Sequence, residues 1–266
     1  MCGFLVYKNK GNNFYIQKRG QDLTNKVNIN GLTFVHNLLH VTGALTPQPF
    51  IKDGIVCVYN GEIYNHMYNN SDGENIIPLY EKHGVNFVKH LDGEWAIALY
   101  DFNKKLAIFA ANLFATKPLW RKGLECASYG SGVGGHKIPA NTIDVVYFDG
   151  SEESKRIYDW DLNQHKGTYD DWITTFEKAV AKRAVDNCFL GVSSGYDSGA
   201  ICCSLQNLST NFKAYIIEAQ EDKKVLNQRM KLINDYQLFN SGFRDELDWL
   251  KQNVEEFRYK LSTKKD

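Results

Sequence analysis

A cysteine stands second in the chain, within Met1-Cys2-Gly3. Removal of the methionine would leave Cys2 with a free α-amine, whose ordinary pKa of about 7.7–8.0 makes part of it an unprotonated base near neutral pH. A thiol and a base on the same residue are suited to nucleophilic attack on a carbonyl carbon. Many chains begin with methionine and cysteine by chance, so this start alone is a weak indication of an N-terminal nucleophile.

A second group of reactive residue types follows a short apolar segment at 188–192. The string S-S-G-Y-D-S-G occupies residues 193–199, and a helix is predicted after it. A strand, a loop of small residues and a helix together form a common phosphate-binding arrangement, because backbone N–H groups converge near the helix N-terminus. Most loops of this composition only turn the chain, so the loop alone is also weak support for a site.

The elements that position these residues fall into two groups. The first part of the chain has short segments rich in β-branched and aromatic residues, which predict strands. They lie at 3–8, 13–17, 33–36, 55–59, 95–100, 106–110 and 145–148, with one helix at 74–83.

The pattern changes after a polar stretch and becomes an alternation of helices and strands, which predicts a parallel sheet built from βαβ units. The predicted helices are 168–184, 198–205, 223–235 and 243–261, and the strands are 188–192, 212–218 and 236–239. We therefore expect a first domain over 2–155, a linker over 156–167 and a second domain over 168–266.

Composition narrows the function classes. The 266 residues include 31 Lys+Arg and 31 Asp+Glu, and this balance argues against a broadly basic nucleic-acid surface. No apolar run approaches the roughly 20 residues that span a bilayer, and no export signal is evident. We expect a cytoplasmic protein without nucleic-acid or membrane partners. The six cysteines contain no C-x-x-C pair, so no metal site is expected.

Several motifs in order identify a family resemblance. N-G-E-I-Y-N-H stands at residues 60–66, R-G-Q-D at 19–22 and S-D-G-E at 71–74. With Cys2, this set resembles the glutaminase domain of class II, N-terminal nucleophile glutamine amidotransferases, and most of all the glutamine-dependent asparagine synthetases. The resemblance implies an α+β sandwich of antiparallel sheets with flanking helices, of the αββα type.

The resemblance also implies roles for individual residues. Cys2 would attack the side-chain amide of glutamine, while the Asn60 side chain and the Gly61 N–H would hold the oxyanion. Asp72 would bind the substrate α-ammonium, and Glu62 would line the same pocket. Each motif has a purely structural alternative, since an Asn-Gly pair often forms a turn and an acidic residue often caps a helix. This reaction needs no cofactor.

The sequence departs from the family at the substrate carboxylate. The arginine that clamps this group in the family falls on Leu38, and leucine cannot replace a bidentate guanidinium. Another cation nearby, an amide substrate without the carboxylate, and weak or lost glutaminase activity all remain open explanations. The family's R-D-x-x-G stretch is also replaced, by A-N-L-F-A at residues 111–115.

The second loop resembles the S-G-G-x-D-S loop of the ATP-pyrophosphatase (PP-loop) domain that follows the glutaminase domain in asparagine synthetases. That resemblance implies a reduced α/β parallel-sheet domain. It also implies ATP and magnesium as ligands, with Ser193, Gly195, Asp197 and Ser198 near the phosphates. Two positions depart from the motif: Ser194 replaces a glycine, and Gly199 replaces a serine. The family's later acidic and lysine motifs have no clear counterpart, so complete synthetase activity is not expected.

Three functions follow from these resemblances. The first is an asparagine-synthetase-like amidotransferase that hydrolyses glutamine at Cys2 and supplies ammonia for an ATP-dependent amidation. The second is a degenerate amino-acid- or nucleotide-binding regulatory protein, or one that a partner protein completes. The third is an amidotransferase with a different amide or acceptor. A homodimer is left open.

Overall fold

The computed structural model describes residues 2–65, 70–218, 221–239 and 246–258. The chain divides into two compact units. The first contains the residues up to Trp160 together with the described residues from Lys251 onward, and the second runs from Asp161 to Leu250. His66 of the 60–66 motif and the start of the helix expected at 243 lie outside the described residues.

Twelve strands are described in the first unit. In chain order they are β1 (Gly3–Tyr7), β2 (Leu23–Ile29), β3 (Leu32–Leu38), β4 (Phe50–Lys52), β5 (Ile55–Ile63), β6 (Gly93–Asp101), β7 (Leu106–Ala111), β8 (Trp120–Lys122), β9 (Glu125–Ala127), β10 (His136–Lys137), β11 (Thr142–Tyr147) and β12 (Glu152–Arg156). Helix α1 (Ile76–His83) and the short helix α2 (Gly130–Val133) accompany them.

These strands form two six-stranded sheets. The first has the order β10-β8-β9-β1-β3-β2, and the second has the order β12-β11-β7-β6-β5-β4. Every recorded pair in both sheets is antiparallel. The central strands β5, β6 and β7 are buried almost throughout, because both faces of their sheet are covered.

Side-chain alternation explains the layers of the first unit. Successive residues of a strand point to opposite faces of the sheet. Phe4 and Val6 of β1 pack with Val56 and Val58 of β5 in the core between the two sheets. The intervening residues of β5 face outward, where they pack against α1 and the 3₁₀ turn Gly84–His90. The expected antiparallel sandwich with a flanking helix is therefore present.

One sequence prediction in this unit is wrong. Residues 13–17, expected to form a strand, lead instead into a 3₁₀ turn at Ile16–Arg19. The Gln17 N–H donates to Asn13 O at 2.9 Å, and Ile16 is buried against Leu5 and Val35 on the outer face of the first sheet. The apolar residues of this segment thus cover a sheet rather than join one.

Six strands of this unit were not predicted: β2, β4, β8, β9, β10 and β12. The longest of them is β2. Its residues alternate between half-buried and exposed, as expected for a strand at the edge of a sheet. Its asparagines and lysine lowered the apparent strand preference of the segment, and pairing with β3 along seven residues outweighs that preference.

The second unit contains helices α3 (Asp170–Arg183), α4 (Tyr196–Asn207) and α5 (Lys223–Met230), and strands β13 (Cys188–Val192), β14 (Phe212–Ile217) and β15 (Tyr236–Phe239). The strands form a parallel sheet in the order β13-β14-β15, with α4 and α5 in the crossovers. The predicted alternation is therefore confirmed, although α5 ends five residues earlier than expected.

The last described segment belongs in part to the first unit, although the sequence analysis assigned it to the second domain. Helix α6 (Leu247–Asn253) is followed by a 3₁₀ turn at Glu255–Arg258. Glu255 is buried and accepts hydrogen bonds from the backbone N–H of Ser131, at 3.0 Å, and from the Ser131 hydroxyl. These bonds join the segment after Lys251 to the first unit, whereas the sequence had assigned it to the second.

Among the described residues, no helix has the length and apolar character needed to cross a membrane. The same residues contain no cluster of three or more histidine, cysteine, aspartate or glutamate side chains arranged to hold a metal ion.

Candidate active site

Cys2 lies immediately before β1, at one end of the sandwich. The backbone N–H of Leu39 donates to Cys2 Sγ at 3.4 Å, and the thiol lies 3.7 Å from the Leu39 carbonyl oxygen. Arg19 Nε donates to the Cys2 carbonyl oxygen at 3.1 Å. The thiol and the backbone of the candidate nucleophile are therefore both held in place by neighbouring elements.

The environment of Cys2 favours its neutral form. Burial raises the pKa of the thiol, while the hydrogen bond from the Leu39 backbone opposes this effect. The negative charges of Glu62 and Asp72 raise the pKa further. Because the thiolate is the nucleophile, reaction at neutral pH requires a base that removes the thiol proton.

Asn60 supplies a buried hydrogen-bond donor. Its side chain is 1% exposed, and its Nδ2 has no hydrogen-bond partner among the described residues. Because Asn60 follows Val56 and Val58 at a spacing of two, it shares their face of β5, toward the other sheet. Cys2 precedes Phe4 and Val6 of the facing sheet at the same spacing, so strand alternation predicts the same interior for its side chain. An unsatisfied buried donor costs about 1–3 kcal/mol, which makes this one a candidate ligand-binding group.

Gly61 is required by close packing of the backbone. It lies opposite Trp95 in the β5–β6 pair. A Cβ at position 61 would lie 2.6 Å from Trp95 Cα and would also collide with the Glu94 carbonyl oxygen. Only glycine therefore fits beside Asn60, and the chain here is a strand rather than the turn that the Asn-Gly pair could have formed.

Asp72 is the centre of a buried hydrogen-bond network. Its Oδ2 accepts from the Ile63 backbone N–H at 2.7 Å and from the Tyr59 hydroxyl. Its Oδ1 accepts from the Gly73 N–H at 2.9 Å and from the Ser71 hydroxyl at 3.3 Å. The carboxylate thus ties the end of β5 to the start of the helical segment, and Ser71 is the residue that caps the turn.

Glu62 lies near the same carboxylate. Burial raises its pKa, and the negative charge of Asp72 raises it further. The Thr42 hydroxyl donates to the two Glu62 oxygens, at 3.3 and 3.2 Å. Directly opposite Glu62 on β6 is Glu94, whose Oε2 lies 3.4 Å from Lys117 Nζ. The charges of Glu62 and Asp72 therefore both act on the Cys2 thiol, and the Lys117–Glu94 ion pair lies across the strand pair from Glu62.

Leu38 is the residue that the sequence resemblance places at the family's arginine. It is the last residue of β3, lies opposite Leu23 and is 8% exposed. Its side chain supplies no positive charge to the site. Lys117 is a nearby cation among the described residues, since its charge lowers the pKa of Glu62.

Comparisons with known proteins identify the family of the domain that contains these residues. A family model described as a glutamine amidotransferase domain matches residues 7–134. This chain contains a class II glutamine amidotransferase domain. The match covers strands β2 to β9, including Asn60, Gly61, Glu62 and Asp72, and it begins after Cys2.

Curated relatives resemble the amidotransferase domain and part of the remaining chain. An asparagine synthetase (glutamine-hydrolyzing) of Saccharomyces cerevisiae is 31% identical over 219 residues, which cover 70% of this chain and 38% of that protein. One from Bacillus subtilis is 41% identical over 91 residues, or 29% of this chain and 12% of that protein. An amidase of Penicillium rubens is 37% identical over 87 residues, or 27% of this chain and 13% of that protein. The chain thus spans well under half the length of these relatives.

Residues outside the motifs complete the site of the amidotransferase domain. Leu39 holds the thiol, Tyr59 binds Asp72, and Thr42 binds Glu62. Tyr59 could have been found from the sequence, because it directly precedes the Asn60 motif in the same strand. Leu39 acts through its backbone and Thr42 lies in a loop, so their residue types carry no sign of these contacts.

The loop of the second unit lies between β13 and α4. Ser193 N and Ser193 Oγ both bond the Ser198 hydroxyl, at 3.1 and 2.9 Å, and Gly195 N donates to Ser193 Oγ at 3.2 Å. Asp197 is exposed in the first turn of α4. The structure therefore brings together Ser193, Gly195 and Ser198, and leaves Asp197 on the surface.

Proposed function

We propose that the amidotransferase domain hydrolyses glutamine at Cys2 and releases ammonia. After removal of Met1, the α-amine of Cys2 takes the thiol proton, and Sγ attacks the amide carbon. The resulting oxyanion accepts hydrogen bonds from Asn60 Nδ2 and the Gly61 N–H. Collapse of this intermediate expels ammonia, which carries the transferred proton, and leaves a thioester. Water then hydrolyses the thioester to glutamate and frees the thiol.

The unpartnered Nδ2 of Asn60 is the observation that carries this proposal. A buried donor held by a strand costs no reorganisation when negative charge develops next to it. The loss of one such donor typically lowers a rate by about 10²–10³-fold. A core asparagine with only a structural role would instead be expected to satisfy its amide within the protein.

Asp72 and Glu62 are the proposed partners of the substrate α-ammonium. Both carboxylates act electrostatically on Cys2, so a cation bound between them would lie close to the nucleophile. A charge-assisted hydrogen bond to an ammonium group is roughly twice as strong as a neutral one. Binding of this cation would also offset the repulsion between the two carboxylates, which raises the pKa of Glu62.

Ammonia release from glutamine tests the proposal. The assay compares protein whose Met1 has been removed with the Cys2→Ala variant, and with Cys203→Ala as a control at an exposed cysteine. We expect the control to retain full activity and Cys2→Ala to lose it. Equal release from all three proteins would remove Cys2 from the mechanism.

A second candidate is an amidotransferase for an amide that lacks the α-carboxylate. Leu38 supports it, because an apolar side chain stands where the family's guanidinium binds that carboxylate. An unpaired carboxylate in this pocket would cost about 2–5 kcal/mol. A screen of such amides distinguishes the candidates, because strict preference for glutamine would favour the first.

The released ammonia is proposed to serve an amidation reaction. Two relatives are named as glutamine-hydrolyzing asparagine synthetases, which supports use of the ammonia in an amidation. Its dependence on ATP is the expectation from the sequence resemblance. The parallel sheet and loop of the second unit suit a reduced PP-loop domain, for which ATP and magnesium stay predicted ligands. A partner protein, a homodimer and a cytoplasmic location likewise stay predictions.

A regulatory protein without turnover is the alternative, and calorimetry with glutamine in parallel with the ammonia assay would reveal binding without hydrolysis.

A further inference from the structure

The loop between β13 and α4 has internal acceptors for each of its three backbone N–H groups. Ser193 N donates to the Ser198 hydroxyl, and Gly195 N donates to Ser193 Oγ. The Ser194 N–H donates to a carboxylate oxygen of Glu221, which lies 27 residues further along the chain. A phosphate-binding loop needs these N–H groups for its ligand. In this chain they are already engaged.

Glu221 binds the loop through two donors. Its Oε2 accepts from the Ser194 N–H and from the Ser194 hydroxyl. The same hydroxyl accepts from the Asp222 N–H at 3.0 Å. The Ser194 side chain and then its backbone lower the pKa of Glu221, so this group is a carboxylate at neutral pH. An anion therefore already lies on the loop, and it belongs to the protein.

A guanidinium fixes the other side of the loop. Arg229 of α5 donates to the Gly195 carbonyl oxygen at 2.8 Å and to the Ser193 carbonyl oxygen. Its position depends on Gly199, because a Cβ there would lie 2.7 Å from Arg229 Cζ. A serine at position 199 would displace this side chain.

The two departures from the PP-loop motif thus serve the same arrangement. Ser194, where the motif has glycine, supplies the hydroxyl that binds Glu221. Gly199, where the motif has serine, provides the space for Arg229. Each change replaces a residue of the nucleotide-binding motif with one that accommodates a charged side chain of the protein, Glu221 at Ser194 and Arg229 at Gly199.

We propose that Glu221 occupies the anion-binding position of the Ser193–Ser194–Gly195 loop and excludes the phosphates of a nucleotide from it. A phosphate approaching Ser194 would lose the donors that Glu221 holds and would be repelled by its negative charge. The second unit therefore keeps the loop of a nucleotide-binding domain but supplies the anion from its own chain, and the ATP and magnesium that the sequence resemblance implies would not bind at this loop. Glutamine hydrolysis at Cys2 plays no part in this exclusion.

Calorimetric titration with inorganic pyrophosphate tests the proposal on the full chain. The variants are Glu221→Ala and Glu221→Gln, with Glu218→Gln as a control, since Glu218 pairs with Lys223 at 3.0 Å and not with the loop. We expect no saturable binding by the unchanged protein or by Glu218→Gln. Glu221→Ala is expected to show saturable binding, with an affinity at least tenfold above the limit set by the unchanged protein. Glu221→Gln should show the same gain, because it removes the charge and retains the shape of the side chain.

Two results would overturn the proposal. Pyrophosphate binding of equal affinity in the unchanged protein and in both Glu221 variants would show that Glu221 excludes nothing. A lack of binding in all of them would show that the loop is not an anion site. Hydrogen exchange of the Ser194 amide gives a measurement without ligand: it should be slow in the unchanged protein and fast in Glu221→Ala, and equal rates would contradict the contact.

Discussion

The backbone N–H of Leu39 donates a hydrogen bond to Cys2 Sγ at 3.4 Å. This bond comes from the residue that follows β3 and holds the sulfur of a residue that precedes β1. Because β1 and β3 are paired from Gly3 and Asn37 onward, the sheet itself brings the two together. The position of the candidate nucleophile is therefore a consequence of strand register.

The pKa of Cys2 should depend on Glu62. Burial raises the thiol pKa, and the charge of Glu62 raises it further, so Glu62→Gln should lower it. Alkylation of Cys2 by iodoacetamide, followed by peptide mass spectrometry, should then become fast at a lower pH than in the unchanged protein. Glu74→Gln serves as the control, because Glu74 is not among the charges that act on Cys2. Identical pH profiles for all three proteins would contradict the proximity of Glu62 to the thiol.

Asn60→Ala should reduce turnover much more than substrate binding. Its Nδ2 has no partner within the described structure, so the amide is available to the oxyanion. We expect kcat for ammonia release to fall about 10²–10³-fold, with a small change in KM. Asn103→Ala, which removes an exposed asparagine from the β6–β7 connection, should leave kcat unchanged. A fall in kcat below threefold for Asn60→Ala would exclude this side chain from the oxyanion site.

Gly61→Ala should destabilise the first unit. The new Cβ would meet the β6 backbone at Glu94 and Trp95, and neither can move without loss of strand pairing. We expect a loss of about 1–3 kcal/mol in the free energy of unfolding, measured by urea denaturation. Gly191→Ala is the matched control in a strand, because nothing lies within 4 Å of its Cβ position. Equal stability of the two variants would argue against close packing at position 61.

His36 should make stability depend on pH. Its ring is 1% exposed, and burial lowers its pKa from 6.5 to about 4. Well above pH 6.5 the ring is neutral in both the folded and the unfolded chain, so protonation does not reduce the free energy of unfolding there. As the pH falls from 6.5 towards 4, only the unfolded chain takes up the proton, and the free energy of unfolding falls by about 3 kcal/mol.

Urea denaturation at several pH values measures this effect. His36→Gln should remove that part of the slope between pH 6.5 and 4, because glutamine does not titrate. His136→Gln, at an exposed histidine, should retain it. A variant at position 36 with the slope of the unchanged protein would contradict the lowered pKa.

The sequence alone indicated six of the twelve described strands of the sandwich, β1, β3, β5, β6, β7 and β11, because these show local alternation or strand-forming composition. It failed for residues 13–17, where the same apolar residue types cover a sheet from outside. It also missed β2, whose polar residues lie at a sheet edge, and the shorter strands β4, β8, β9, β10 and β12. Both errors arose where contacts with a neighbouring strand, rather than local preference, decide the structure.

For the candidate site, the sequence supplied residue types and order: Cys2, the Asn60-Gly61-Glu62 string and Asp72. These are recognisable because the family resemblance depends on particular residue types in short motifs that follow one another in a set order. Only the tertiary structure decided that Asn60 Nδ2 lacks a partner, that Leu39 holds the sulfur and that Glu221 lies on the loop at Ser194. Each of these depends on residues far apart in the chain, whose separation in space is set by sheet register and by the crossover helices and not by local preference.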